Sequence, residues 1–151
     1  MKTGRNTVGV LRLSALGDAV LTVPLIHSLI SSELFDEVIW VTTNEVSELI
    51  GPIKGCRYVI LEKISNFRTV FRNWQKLKAE SFNQLILAQA SFSAHAISVM
   101  IRAKSKIGFD KKRGKDLHHF FIDKSISYVD QHFVDAYIQL GILAGAPPFR
   151  A

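Results

Sequence analysis

The chain is 151 residues long, with 48% hydrophobic and 21% charged residues and a net charge of +6 from 19 Lys and Arg against 13 Asp and Glu. That length predicts one domain burying about two thirds of its unfolded surface; the composition excludes a disordered chain, and no apolar run approaches the ~20 residues of a membrane span. The positive charge favours anionic partners of several kinds, nucleic acid, acidic headgroups and phosphorylated sugars alike, while Met1–Asn6 shows no signal-peptide core and the single Cys56 cannot form an internal disulfide, so a reducing cytosol is the expected home.

Strands and helices alternate along the chain. The Val- and Leu-rich run beginning at Val8 reads as a buried strand; it breaks at Ser14-Ala15-Leu16-Gly17-Asp18, a tight glycine turn, and helical spacing follows over roughly residues 19–32. Val38–Thr43 is a second buried strand, and Thr43 or Asn44 caps a short helix that Gly51-Pro52 stops. Arg57–Leu61 is a third strand. Residues 67–80 form an amphipathic helix with Phe67, Val70, Phe71, Trp74 and Leu77 on one face. Leu85–Ala88 is a fourth strand, 92–103 a helix, and Lys106–Phe109 a short strand. A basic loop follows over 109–116, His118–Asp123 is ambiguous, and His132–Ala144 reads as a final helix stopped by Gly145-Ala146-Pro147-Pro148. This rhythm predicts an α/β fold, a Rossmann-like parallel sheet with helices on both faces and right-handed crossovers.

The chemistry centres on the first turn. In an open parallel sheet, ligands bind at the carboxyl ends of the strands, where this turn lies. It holds one glycine, which excludes both a G-x-G-x-x-G loop and a P-loop. Asp18 is then either a helix cap, worth ~1 kcal/mol, or a general base on an open loop. Arg68, Arg72 and Lys76 share a helix face at i, i+4 and i+8, with Lys63 just before them, an arrangement that suits phosphate groups or a solvated surface equally. Lys104, Lys106, Lys111, Lys112, Arg113 and Lys115 form a second basic group. The five histidines have no third ligand at metal spacing and read as surface or packing residues, as Cys56 reads as structural.

Leu11-Arg12-Leu13-Ser14-Ala15-Leu16-Gly17-Asp18, followed by Leu21-Thr22-Val23-Pro24, resembles the opening of the lipopolysaccharide heptosyltransferases, glycosyltransferase family 9. Ile107-Gly108-Phe109-Asp110-x-x-Arg113 and His132-Phe133-Val134-Asp135-x-Tyr137 are similar to later stretches of the same family, in the same order. The resemblance implies one half of a GT-B type glycosyltransferase: residues 1–146 as the N-terminal, acceptor-binding domain and 147–151 as the start of an interdomain linker, with the C-terminal nucleotide-sugar domain outside this chain. It implies Asp18 as the base that deprotonates the acceptor hydroxyl, Ser14 and Gly17 as shapers of the loop, and Lys63, Arg68, Arg72, Gln89 and Arg113 as acceptor-binding residues. It also implies a cytoplasmic enzyme at the inner membrane face, a lipopolysaccharide inner-core acceptor, ADP-heptose as donor, and no cofactor or metal. Where the family has Asp-x-Gln-Gly after the fourth strand, this chain has Leu87-Ala88-Gln89-Ala90, keeping the glutamine and losing the acid and the glycine.

The competing reading is a non-catalytic anion-binding or interaction module. A half-enzyme on its own exposes an apolar strip and is expected to self-associate and to lack transfer activity. Nucleic-acid binding has only the net charge behind it, since no recognition motif is present.

Overall fold

In the parallel register that joins the strands, Val10 lies between Trp40 and Ile86, and Leu11 between Val41 and Leu87. The computed structural model describes residues 5–89, 91–108, 122, 124–125 and 140–145. Its elements are β1 (Thr7–Leu11), α1 (Leu16–Ser31), β2 (Glu37–Thr43), α2 (Asn44–Ile50), β3 (Cys56–Leu61), α3 (Phe67–Lys78), β4 (Phe82–Leu87), α4 (Phe92–Val99), β5 (Ala103–Gly108) and the two-residue β6 (Lys124–Ser125), with a further helical segment at 140–143. The described strands form one parallel sheet in the order β3-β2-β1-β4-β5-β6. The order reverses beside β1, and the crevice at that switch point is where an open α/β sheet takes its ligand.

Both faces of the sheet are covered. Val8, Val10, Val38, Trp40, Ile86 and Ala88 pack with α1, α2 and the 140–143 segment. Leu11, Ile39, Val41, Leu85 and Leu87 pack with α3 and α4. The two sets alternate along each strand, as the period of two requires, and both are apolar because neither face meets water. Gly9 belongs to the second face. A Cβ there would stand 2.7 and 2.8 Å from the Phe82 ring, which is itself buried.

The element boundaries differ from the predicted ones where a turn is tighter than its sequence suggests. The first helix begins at Leu16, so Gly17 lies in its opening turn, without a positive φ, and not in a separate glycine turn. The fourth helix stops at Val99 and β5 starts at Ala103, because Met100 and Ile101 turn back through hydrogen bonds to Ile97 and Ser98. The 109–121 loop and 126–139, with most of the predicted final helix, lie outside the described residues.

Helix α3 departs most. Its buried stripe is Thr69, Asn73 and Leu77, while Phe67, Phe71 and Trp74 face solvent. Polar groups decide the orientation. Asn66 and Thr69 form a reciprocal capping box. Asn73, fully buried, accepts from the Glu62 N–H at 2.9 Å and donates to the Glu62 carbonyl at 2.9 Å. Turning the aromatics inward would strip both Glu62 groups of their partner, at about 1–3 kcal/mol for each buried group left unpaired.

At the amino end of the sheet, Arg57 is held by both Glu80 oxygens at 2.9 Å and by Glu37 at 3.0 Å, which raises its already high pKa further. Burial pushes the neighbouring Cys56 thiol up to about 11, so it stays protonated at neutral pH and offers no nucleophile. This end is structural. The carboxyl end carries the cleft.

Two stability outcomes follow. Gly9→Ala should lose about 1–3 kcal/mol through overpacking against Phe82. Asn73→Ala should lose a similar ~1–3 kcal/mol through the stranded Glu62 backbone. Urea unfolding measures both; a variant within error of the parent would refute the corresponding contact.

Candidate functional site

A cleft of about 720 Å³ opens at the carboxyl edge of the sheet. Every loop around it follows a strand: Leu13 and Ser14 after β1, Thr43–Glu45 at the end of β2, Ile60–Ile64 after β3, and Gln89, Ser91 and Ser93 after β4.

The loop after β1 is held from both sides. On the β2 side, the Arg12 N–H donates to the Val41 carbonyl at 3.2 Å, Trp40 Nε1 donates to the Arg12 carbonyl at 3.3 Å, and Thr43 Oγ1 donates to the Leu13 carbonyl at 3.2 Å. On the β4 side, the Ala88 N–H donates to the Leu11 carbonyl at 3.1 Å. Gln89 Oε1 accepts from the Leu13 and Ser14 N–H groups at 2.8 and 3.0 Å, and Gln89 Nε2 donates to Ser91 Oγ at 2.8 Å. Ser14 Oγ is 3.4 Å from the same amide nitrogen.

Asp18 does not cap α1. The N-cap is Ala15, with no side-chain cap, and Asp18 stands in the first turn. Its Oδ2 pairs with Arg12 Nη2 at 2.8 Å, while Arg12 Nη1 donates to the Ala88 carbonyl at 2.7 Å. The two partners differ in exposure: the Arg12 side chain is 9% exposed and that of Asp18 49%. A buried, doubly anchored guanidinium therefore holds one oxygen of a half-exposed carboxylate. The other oxygen, Oδ1, has no hydrogen bond among the described residues.

The remaining candidates are dispersed. Ser14, Lys63 and Gln89 line the cleft. Gln89 is spent on the β1 loop and on Ser91, so its role in the described structure is to fix the loop. Before Gly17 there is open space, with nothing within 4 Å of a Cβ placed there. Arg72 Nε pairs with Glu62 Oε2 at 2.7 Å, and Lys76 Nζ donates to the Ile60 carbonyl at 2.7 Å, so two of the three cations predicted as a phosphate stripe are tied to the β3–α3 connection. Arg68 lies on α3 outside the cleft lining, and Arg113 falls outside the described residues. Among the described residues no group of three His, Cys, Asp or Glu could hold a metal ion, and no helix is long and apolar enough to cross a membrane.

Sequence reading assigned no role to Arg12 or to Thr43, Asn44, Ser91 and Ser93. Arg12 had a legible signal, a lone cation inside a buried apolar run, since a buried charge needs a partner. The hydroxyl residues had none, because only the sheet order brings the ends of β1, β2 and β4 together.

Residues 70–144 match the family model described as glycosyltransferase family 9 (heptosyltransferase). The chain is 27% identical over 139 residues to the lipopolysaccharide core heptosyltransferase OpsX of Haemophilus influenzae, a match covering 91% of this chain and 40% of that protein. Among solved structures it superposes on E. coli heptosyltransferase WaaC with ADP at a TM-score of 0.81 and 16% identity, covering 96% of this chain and 49% of that one. It also superposes on a family 9 glycosyl transferase from Veillonella parvula at a TM-score of 0.75 and 16% identity, covering 97% of this chain and 43% of that one. The structural likeness shows the fold, that of the GT-B heptosyltransferases, and the chain spans about half the length of these relatives or less. It carries a glycosyltransferase family 9 domain and is similar to lipopolysaccharide heptosyltransferases.

Proposed function

We propose that this chain is the acceptor-binding half of a glycosyltransferase of lipopolysaccharide core synthesis, one that transfers heptose from ADP-heptose to an inner-core sugar. Residues 1–146 are the acceptor domain and 147–151 begin the connection to a domain that binds the nucleotide sugar. The observation that carries this reading is the Arg12–Asp18 pair at the mouth of the β1 loop. A carboxylate used only as a cap would turn to the α1 N–H groups; Asp18 turns to Arg12 and leaves Oδ1 unbonded among the described residues.

The chemistry is a single displacement. Asp18 Oδ1 takes the proton of the acceptor hydroxyl as its oxygen bonds to the anomeric carbon of the donor. The bond from that carbon to the ADP oxygen breaks from the opposite side, and the configuration inverts. Arg12 fixes the direction of the carboxylate throughout. Ser14, Thr43, Asn44 and Ser93 supply hydroxyl and amide groups to the sugar, and Lys63 supplies a cation to a phosphate or carboxylate of the acceptor. Such an enzyme works on the cytoplasmic side of the inner membrane, where its acceptor is anchored.

A second reading, an anion-binding module without transfer activity, is favoured by Leu87-Ala88-Gln89-Ala90, which lacks the family's acid, and by a Gln89 amide already spent on the loop.

Asp18→Asn separates the two. In the native-length protein it should lower kcat about 10²–10⁴-fold with acceptor affinity retained. Because the amide oxygen can still accept from Arg12, the stability loss should stay within about 1–2 kcal/mol. Retained turnover would remove Asp18 as the base; a parent protein that binds acceptor without turnover would favour the module. Lys63→Ala should raise KM for a phosphorylated acceptor about fivefold with kcat little changed, and this difference should shrink at high salt. An unchanged KM at low salt would take Lys63 out of the acceptor site.

A further inference from the structure

We propose that the outer face of α3 is a docking surface for an anionic lipid bilayer. This stands on the surface itself and not on the transferase reading. Phe67 is 80% exposed, Phe71 52% and Trp74 41%, and Ile64, in the loop that leads into the helix, is 40% exposed. At about 100° per residue, Phe67, Phe71, Trp74 and Lys78 fall within an arc of roughly 60°. The Phe71 and Trp74 rings lie 5.9 Å apart, and Lys78 Nζ sits 4.5 Å from the Trp74 ring centre. Such a ridge has no role in the described core, which α3 reaches through Thr69, Asn73 and Leu77.

Charge selects the occupant. The α3 sequence contains Arg68, Arg72, Lys76 and Lys78 and no acid. Arg72 and Lys76 are tied to the β3–α3 connection, which leaves Arg68 and Lys78 beside the aromatic ridge. A second copy pairing through this face about a two-fold axis would set the same cations against each other. An anionic headgroup layer neutralises them while Phe and Trp enter the interface, the pattern of a helix that lies in the membrane surface. The helix starts just after Lys63 and Ile64, both of which line the cleft. Docking along α3 therefore brings the cleft rim to headgroup level, where a lipid-anchored acceptor presents its sugars.

The test is sedimentation of the native-length protein with phosphatidylcholine vesicles, with and without phosphatidylglycerol, none containing a sugar acceptor. Binding is expected only with phosphatidylglycerol and should weaken with salt. Phe67→Ser/Phe71→Ser should cut partitioning about tenfold or more, and Arg68→Gln and Lys78→Gln about fivefold each. Trp74 emission should shift to the blue on binding, and Trp74→Phe should abolish the shift, since Trp40 is fully buried. Circular dichroism controls for folding of each variant. Equal partitioning onto neutral vesicles, no partitioning at all, or partitioning unchanged in Phe67→Ser/Phe71→Ser would overturn the proposal. So would a protein dimer that the same double variant dissociates, which assigns the ridge to a second copy. Because the vesicles carry no acceptor, docking can fail while transfer in detergent succeeds, and the reverse.

Discussion

A buried cation organises the carboxyl end of this sheet. Withdrawing a guanidinium from water costs several kcal/mol unless its N–H groups find acceptors. Arg12 finds two, the Ala88 carbonyl and the Asp18 carboxylate. It thereby links the end of β1, the end of β4 and the first turn of α1, three segments far apart in sequence. The same demand that stabilises Arg12 dictates where Asp18 points. Structure and proposed chemistry are therefore coupled: any group replacing Asp18 must also answer for the charge behind it.

The loop that carries Arg12 is rigid for a related reason. Past Leu11 the backbone leaves the regular ladder, and its polar groups need partners. They find them in side chains as well as backbone: Trp40 Nε1, Thr43 Oγ1 and the Gln89 amide each satisfy a group between Arg12 and Ser14. A loop fixed from both neighbouring strands holds its groups in place before any ligand arrives, so little ordering remains at the moment of binding. Asn73 does the same for the loop after β3 by gripping both backbone groups of Glu62. Two buried amides, Gln89 and Asn73, thus define two walls of the cleft from behind.

How much of this was legible follows from where each signal lives. The strand–helix alternation is written in local periodicity, and the sheet with helices on both faces followed from it. Asp18 was legible as an acid at a helix mouth, but its partner was not, because Arg12 and Asp18 meet only once β1 and α1 are folded back to back. On α3 the largest apolar side chains pointed to the wrong face. The hydrophobic pattern favours burying Phe67, Phe71 and Trp74, and it lost to a capping box and an amide gripping a loop. Those polar contacts are specific to one geometry, and no count of apolar residues contains them. The i, i+4, i+8 row of cations failed in the same way: the row exists, but Glu62 and the Ile60 carbonyl occupy two of its members.

That loss changes what the cleft can recognise. With Arg72 neutralised by Glu62, the charged residues of the described lining are Glu45, Glu62 and Lys63, two acids against one base. A floor of this kind repels an isolated phosphate. Its uncharged part, Ser14, Asn44, Ser91 and Ser93, offers short hydroxyl and amide groups that both donate and accept, the chemistry that suits a sugar ring. An acceptor bearing both hydroxyls and phosphates would be read in two zones, sugar on the neutral floor and anion at the Lys63 rim. Lys63 is also where the cleft meets α3, so the same edge that meets the anionic groups of an acceptor is the edge nearest the cationic helix. Electrostatics then orders binding from the outside inward: the surface draws an anionic partner to the rim, and only the neutral interior, next to Asp18, discriminates among hydroxyls.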